Sequence, residues 1–255
     1  MKPEPVSGYA AEAFGLLQNP PVAHRGLWDP KGAPENSLAA FEAAVDAGYG
    51  VELDVRLSAD GEVMVFHDAG LERMVGRQGR LADHTATELS TMRLRGGREP
   101  VPTLRQVFDI IDGRCLIHVE LKTTPGEEGP LDAAVAALLD SYAGPVCVIG
   151  FNAHSHAWWA ANRPDVLRGL DSYGYDDEAA QRLPAETRRS LQALEHVAMA
   201  RPHFLALSTN MLTSAPTRAA RDAGFPIVAW TVRSAEQAGE VAPYCDNIIF
   251  EGFRA

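Results

Sequence analysis

Within 45 residues the chain gathers His24-Arg25-Gly26, Pro34-Glu35-Asn36-Ser37, Glu52-Leu53-Asp54-Val55 and His67-Asp68. Most of these charged residues sit on apolar, strand-like segments. A buried charge is costly unless something pairs with it, so a cluster this dense points to a site that holds a metal or a substrate ion. Glu52 and Asp54 are two apart on one strand and can face a single ion. Carboxylate oxygens suit hard Mg²⁺ or Ca²⁺, and Mn²⁺ accepts the same donors. The plain alternative is a solvated pair at a strand end.

His118-Val119-Glu120-Leu121-Lys122 repeats the i, i+2 spacing. It offers Glu120 as a third ligand and Lys122 as a phosphate contact, or else a structural Glu–Lys pair. His24 alone reads as a hydrogen-bonded core histidine. Two histidines flanking carboxylates read differently, because imidazole can both accept and donate a proton: one can take a proton from a nucleophile while the other gives one to a leaving alkoxide. Arg25 supplies a planar fork that matches phosphate oxygens. The chemistry these types support together is metal-assisted cleavage of a phosphodiester.

Other residues carry weaker signals. Asn36 and Ser37 open a helix, where capping competes with any role in a site. Glu35 is placed to orient Arg25 or a histidine. Trp230 has the strand parity to reach a barrel mouth, as would a core aromatic. His118 reads as a satisfied core histidine one layer below Glu120. His84, His154, His156, His196 and His203 have no carboxylate constellation around them and stay unassigned.

The elements that must position these groups alternate almost to the end of the chain. Strand-like runs fall at 22–24, 50–55, 63–67, 115–121, 146–151, 167–171, 204–208, 227–232 and 247–250. Helical patterns lie between them at 37–47, 104–111, 131–142, 216–223 and 235–241. Such alternation predicts a parallel sheet with crossover helices. Nine strands exceed an eight-stranded barrel, but Ser58-Ala59-Asp60-Gly61 is too short for a parallel crossover and carries a hairpin signal. The third run is therefore expected to fold back on the second. A four-residue turn would pair Leu57 with Glu62 and set His67 opposite Glu52. Only Glu251–Ala255 follow the last strand, too few for a helix, so the segment around 12–18 is expected to cover part of the barrel instead.

With 255 residues, 46% of them hydrophobic, the chain can bury a large core, and no linker marks a boundary. The expectation is one domain over residues 1–255. A net charge of −11 argues against a nucleic-acid partner and requires attraction of an anionic substrate to be local. The N-terminal residues do not read as a signal peptide, and no apolar run is long enough for a membrane span. Cys115, Cys147 and Cys245 read as buried thiols, consistent with a cytoplasmic protein. The sequence leaves a homo-oligomer open.

These residues, in this order, resemble the glycerophosphodiester phosphodiesterase family in its short, soluble bacterial form. The matching run is Ala23-His24-Arg25-Gly26, Pro34-Glu35-Asn36-Ser37, Ala40-Phe41, Glu52-Leu53-Asp54-Val55, Asp60-Gly61 and His67-Asp68. It continues through Pro102-Thr103-Leu104, Glu120-Leu121-Lys122 and Trp230-Thr231-Val232. The resemblance implies a distorted (β/α)₈ TIM barrel with its site at the carboxyl ends of the strands and a small insertion over residues 69–101. It implies Glu52, Asp54 and Glu120 as ligands of one divalent cation, His24 and His67 as the acid–base pair, Arg25 and Lys122 on the phosphate, and Glu35 and Asn36 in support. The implied reaction releases sn-glycerol 3-phosphate and an alcohol from a small-molecule glycerophosphodiester. A lysophospholipase D-type activity on lysolipids and a non-catalytic phosphodiester-binding barrel are the alternatives. Gly150-Phe151 and Phe250-Glu251 depart from the family pattern, which puts the pocket walls in question rather than the metal–histidine set.

Overall fold

The computed structural model describes residues 2–6, 9–124 and 126–255. Among them nine strands form: β1 (Val22–Ala23), β2 (Gly50–Leu57), β3 (Val63–Val65), β4 (Ile117–Leu121), β5 (Val146–Gly150), β6 (Leu167–Ser172), β7 (Phe204–Ser208), β8 (Ile227–Val232) and β9 (Asn247–Phe250). All except β3 are parallel to their neighbours. Because β1 pairs with both β2 and β9, the eight parallel strands close into a barrel, with β3 appended antiparallel to β2. This is the eight-stranded parallel arrangement that the alternation and the hairpin predict, and the distorted TIM barrel that the resemblance implies.

The local reasons for these elements are legible in the sequence. Helix α1 (Tyr9–Gly15) precedes the barrel, and helix α2 (Leu38–Asp46) connects β1 to β2. Ser37 caps α2 by accepting from the Ala40 amide, so the hydroxyl serves the helix rather than the site. In the crossover segment before β4, Thr103 and Gln106 form a reciprocal capping box on the helix Leu104–Ile111. That helix buries Leu104, Val107, Phe108 and Ile111, a stripe at helical spacing.

Two apolar layers result. One lies between the outer faces of the strands and the helices, with Val51, Leu53, Val55, Val119 and Phe41 among its members. The other fills the barrel interior with Cys147, Ile149, Leu167, Phe204, Val228 and Ile249. Ala10, Ala13 and Leu17 join this inner layer, so α1 and the turn after it close the barrel. Asn247 of β9 fastens that turn by donating to the carbonyls of Leu17 and Pro20, each at 2.9 Å. The covering segment expected at 12–18 is thus a helix starting at Tyr9, and among the described residues no helix follows β9.

The hairpin forms, but its register differs from the expectation by one residue. Leu57 pairs with Val63, Arg56 with Met64 and Val55 with Val65. The loop is longer because Ser58 binds Glu62 through both amide and hydroxyl: its amide donates to the Glu62 carbonyl at 3.0 Å, and its hydroxyl accepts from the Glu62 amide at 2.9 Å and lies 3.2 Å from the carbonyl. Gly61 absorbs the extra residue at φ +82°. Asp54 therefore faces Phe66, whose amide donates to the Asp54 carbonyl at 2.9 Å. His67 reaches the barrel mouth not by pairing opposite Glu52 but by leaving the strand. The Arg56 guanidinium holds the His67 carbonyl at 2.8 Å.

Residues beyond His67 build a small lobe in which Leu71, Leu81, Leu89, Met92 and Leu94 pack on Met64 and Phe66. It occupies the region where the insertion is expected. Among the described residues, no helix is long and apolar enough to cross a membrane.

Leu17 is 1% exposed. Leu17→Ala should destabilise the barrel by about 2–5 kcal/mol, the range for truncating a buried leucine. Urea unfolding with an unchanged midpoint would show that the segment is not integral to the core.

Candidate active site

The ends of β1, β2 and β4 converge at the carboxyl mouth of the barrel. Parity turns Glu52, Asp54 and Glu120 inward while Leu53, Val55 and Leu121 pack outward. One oxygen from each of the three carboxylates lies within 4.8 Å of the others, and all three residues are buried. Two cations touch this cluster. The Lys122 Nζ is 2.8 Å from Asp54 Oδ1 and 2.6 Å from Glu120 Oε1. Arg25 places Nε 3.3 Å from Asp54 Oδ2 and Nη1 2.9 Å from Glu35 Oε1, while its own backbone amide donates to Glu52 Oε2 at 2.9 Å.

Backbone conformation makes these contacts attainable. Arg25 and Asn36 both adopt left-handed φ values, +58° and +57°. Such values are uncommon for side chains other than Asn, and here they turn the β1–α2 loop toward Glu52. Gly26 follows at φ +81°, where a Cβ would lie 2.7 Å from the Ala40 carbonyl carbon; the loop can pack on α2 only with glycine there. Asn36 answers Asp54 twice, donating Nδ2–H to Oδ2 at 2.8 Å and accepting the Asp54 amide at 3.3 Å.

Electrostatics separates the carboxylates. Burial and the neighbouring Asp54 and Glu120 push Glu52 far above the ordinary carboxylate range. Burial also opposes ionisation of Asp54, but Lys122 and Arg25 outweigh it and hold Asp54 well below that range. For Lys122, burial is outweighed by Asp54 and Glu120, which keep the ammonium charged. Three carboxylates thus meet two cations, and Glu52 is the member left without compensation. Its Oε1 is buried with no hydrogen-bond partner among the described residues.

The two histidines stand in matching arrangements. His24 sets Nδ1 2.7 Å from Glu251 Oε2, with Nε2 3.9 Å from Glu52. His67 sets Nδ1 2.7 Å from Asp68 Oδ1. A carboxylate at Nδ1 favours the tautomer that carries its proton there and leaves Nε2 to face the pocket. Burial lowers the His67 pKa against the pull of Asp54.

All ten residues singled out in the sequence meet at this mouth. His24, Arg25, Glu52, His67, Glu120, Lys122 and Trp230 line a cavity of about 230 Å³, while Asp54, Asn36 and Glu35 lie behind its wall. Trp230 stands edge-on to Phe151 at 5.7 Å, on the apolar side of the cavity. His118 departs from expectation: it is fully buried, but neither ring nitrogen has a hydrogen-bond partner among the described residues. Burial lowers its pKa to about 4, so it packs against Phe204 as a neutral ring.

Three residues were missed. Glu251 figured only as a departure from a motif, yet it holds His24. Asp171 of β6 lines the cavity with both carboxyl oxygens buried and unpartnered among the described residues; burial and Glu120 raise its pKa strongly. Its place on an inward position of β6 was the available signal. Arg73 of the insertion donates to both oxygens of Glu35, each at 2.7 Å, and to Asp68 at 2.6 and 3.1 Å. It joins His67, through Asp68, to Arg25, through Glu35. Nothing in the spacing announces it.

Fold and site together define a (β/α)₈ barrel with a carboxylate cluster and two carboxylate-held histidines at its carboxyl mouth. The profile of the Glycerophosphoryl diester phosphodiesterase family matches residues 24–245, and the chain belongs to that family. It is 35% identical over 146 residues to a glycerophosphodiester phosphodiesterase of Caldanaerobacter subterraneus subsp. tengcongensis, covering 52% of this chain and 58% of that protein. It is 37% identical over 112 residues to one from Bacillus altitudinis, covering 40% and 44%. The matched stretch thus spans about half the length of these curated relatives. Among solved structures, an Oleispira antarctica phosphodiesterase in complex with the product sn-glycerol-3-phosphate superposes with a TM-score of 0.78 at 25% identity, over 94% of each chain.

The hydrogen bond from His24, with burial opposing it, lowers the Glu251 pKa to about 2. A carboxyl depressed in the folded state contributes stability that is present above its unfolded pKa and lost as the pH falls toward the folded one. Glu251→Gln should therefore lose less stability than the parent chain between about pH 4 and 2. Parallel stability–pH curves would remove Glu251 from that balance.

Proposed function

We propose that the chain is a metal-dependent phosphodiesterase that hydrolyses glycerophosphodiesters to sn-glycerol 3-phosphate and an alcohol by histidine general acid–base catalysis. The observation that carries this reading is the pair of histidines, each anchored at Nδ1 by a carboxylate, flanking a pocket floored by Glu52 and Glu120. Family membership and the product named for the Oleispira antarctica enzyme support the substrate class.

The donor set fits a hard divalent cation. Three carboxylates converge, Glu52 Oε1 has no other partner among the described residues, and the cluster carries one more acid than the cations touching it. Glu52, Asp54 and Glu120 would hold the ion, Mg²⁺ or Ca²⁺ suiting the oxygen donors equally and Mn²⁺ remaining compatible. When bound, the ion supplies positive charge against phosphoryl oxygens.

The chain's own residues account for the remaining steps. Arg25 and Lys122, at the floor of the pocket, stabilise negative charge that grows on the phosphoryl oxygens as the new bond forms. One histidine takes the proton from the attacking hydroxyl, either of water or of the glycerol half itself, which would give a cyclic phosphate that a water molecule then opens to sn-glycerol 3-phosphate. The other gives a proton to the departing alkoxide as its bond to phosphorus breaks. Glu251 and Asp68 hold the rings at the angle each transfer needs. Arg73 and Glu35 tie the Asp68 loop to the Arg25 loop. Trp230 and Phe151 form an apolar wall suited to the carbon face of the glycerol half.

Chelator-stripped protein should release sn-glycerol 3-phosphate from glycerophosphocholine only after Mg²⁺ or Ca²⁺ is restored. Absence of product from glycerophosphocholine and from glycerophosphoglycerol alike, with every metal, would refute the reading. His24→Ala and His67→Ala should each lower turnover by at least about 10²-fold, the scale of a general acid or base. Turnover close to the parent in both variants would overturn their assignment. Glu52→Gln should shift the metal titration to higher concentration, and an unmoved titration would count against ligation.

A further inference from the structure

A second cavity, of about 340 Å³, lies beside the catalytic pocket, with Arg56, Arg80, Lys122, Thr123 and Glu127 on its walls. An adjoining cavity connects the two: it shares Glu120, Lys122 and Phe151 with the catalytic pocket and Arg56, Thr123 and Thr124 with this one. A groove thus runs from the candidate reaction centre to the inner face of the insertion, where Arg80 stands.

The charges along it are unusual for this chain. The protein carries a net charge of −11, yet neither Arg56 nor Arg80 makes an ion pair among the described residues. Arg56 gives its Nε–H to the His67 carbonyl and feels Asp54, Glu120 and Asp68 only from a distance. Arg56 and Arg80 line the same cavity, one from the hairpin and the other from the insertion. Like charges held together on a cavity wall are unfavourable unless an anion joins them. The Thr123 hydroxyl, buried and without a partner among the described residues, adds an unused donor on the same wall. Glu127 is the one acid there and offers an anion no attraction.

We propose that this groove receives the alcohol half of the substrate, and that the preferred alcohol carries a second phosphoryl group, bound between Arg56 and Arg80. The inference rests on the phosphodiesterase reading and names the substrate class for that site. A guanidinium pair matches phosphoryl oxygens through planar, bidentate donors. It disfavours a cationic alcohol such as choline, which would meet two like charges. An acyl chain finds those same charges along its path, which separates this substrate class from a lysolipid.

The test compares three diesters with metal-loaded protein: glycerophosphoglycerol, the same compound phosphorylated on its terminal hydroxyl, and glycerophosphocholine. The parent chain should show the highest kcat/KM for the phosphorylated diester. The Arg80 side chain is exposed and has no hydrogen bond or ion pair among the described residues, its structural contacts being those of its backbone, so Arg80→Glu keeps the barrel intact. This variant should lose at least about tenfold on the phosphorylated diester while staying within about twofold on glycerophosphoglycerol, with Arg80→Lys between them. The preference should also weaken with added salt. Hydrolysis of all three diesters with ratios that Arg80→Glu does not move would overturn the inference and leave the phosphodiesterase reading standing. Hydrolysis of none of them, with every metal, would remove both.

Discussion

The arrangement of the mouth depends on one constraint: three carboxylates are buried within 4.8 Å of one another. Such a cluster cannot remain ionised without compensation, because burial and mutual repulsion act in the same direction. The chain answers with Lys122 between Asp54 and Glu120, Arg25 against Asp54, and a hydrogen bond donated by Asn36 Nδ2 to Asp54 Oδ2. These suffice for Asp54 but not for Glu52, whose carboxyl is left raised and partly unpaired. A stability argument alone would replace Glu52 with an apolar residue. Its retention in a closed core is intelligible if a ligand supplies the missing charge.

The same constraint explains the loops. To reach the cluster, Arg25 and Asn36 take backbone conformations that cost free energy, and Gly26 lets the loop sit against α2. Arg25 must then be shared between Asp54 and Glu35. Glu35 in turn meets Arg73, whose other donors reach Asp68 and through it His67. A single run of ion pairs therefore connects the β1–α2 loop, the hairpin and the insertion. The insertion is a structural partner of the reaction centre, which accounts for its compact packing on Met64 and Phe66. On its other side it contributes Arg80 to the groove, so one lobe both ties the His67 loop in place and lines the second cavity.

Much of this was legible along the chain. The nine strand runs, the fold-back of the third and the eight that close the barrel follow from apolar runs and turn residues, which are local properties. The hairpin register did not follow, because Ser58 binds Glu62 through both amide and hydroxyl and lengthens the loop by one residue. Glu52, Asp54 and Glu120 were recognisable because strand parity fixes which side chains share a face. Glu251 was not, since it meets His24 across 227 residues of sequence only when β9 closes against β1. Arg73 and Asp171 share that difficulty: one bridges two loops, and the other faces an interior whose other walls come from distant strands.

By itself, then, the sequence determined the barrel, its appended hairpin, the ligand-type carboxylates and the two histidines, since periodicity and residue type act over a few neighbouring positions. Tertiary structure alone decided which carboxylate holds each histidine ring, which acid is left uncompensated, and that two arginines without an ion pair among the described residues line one cavity. Those outcomes depend on distances through space between segments far apart in the chain, and on the low dielectric that only the closed barrel creates.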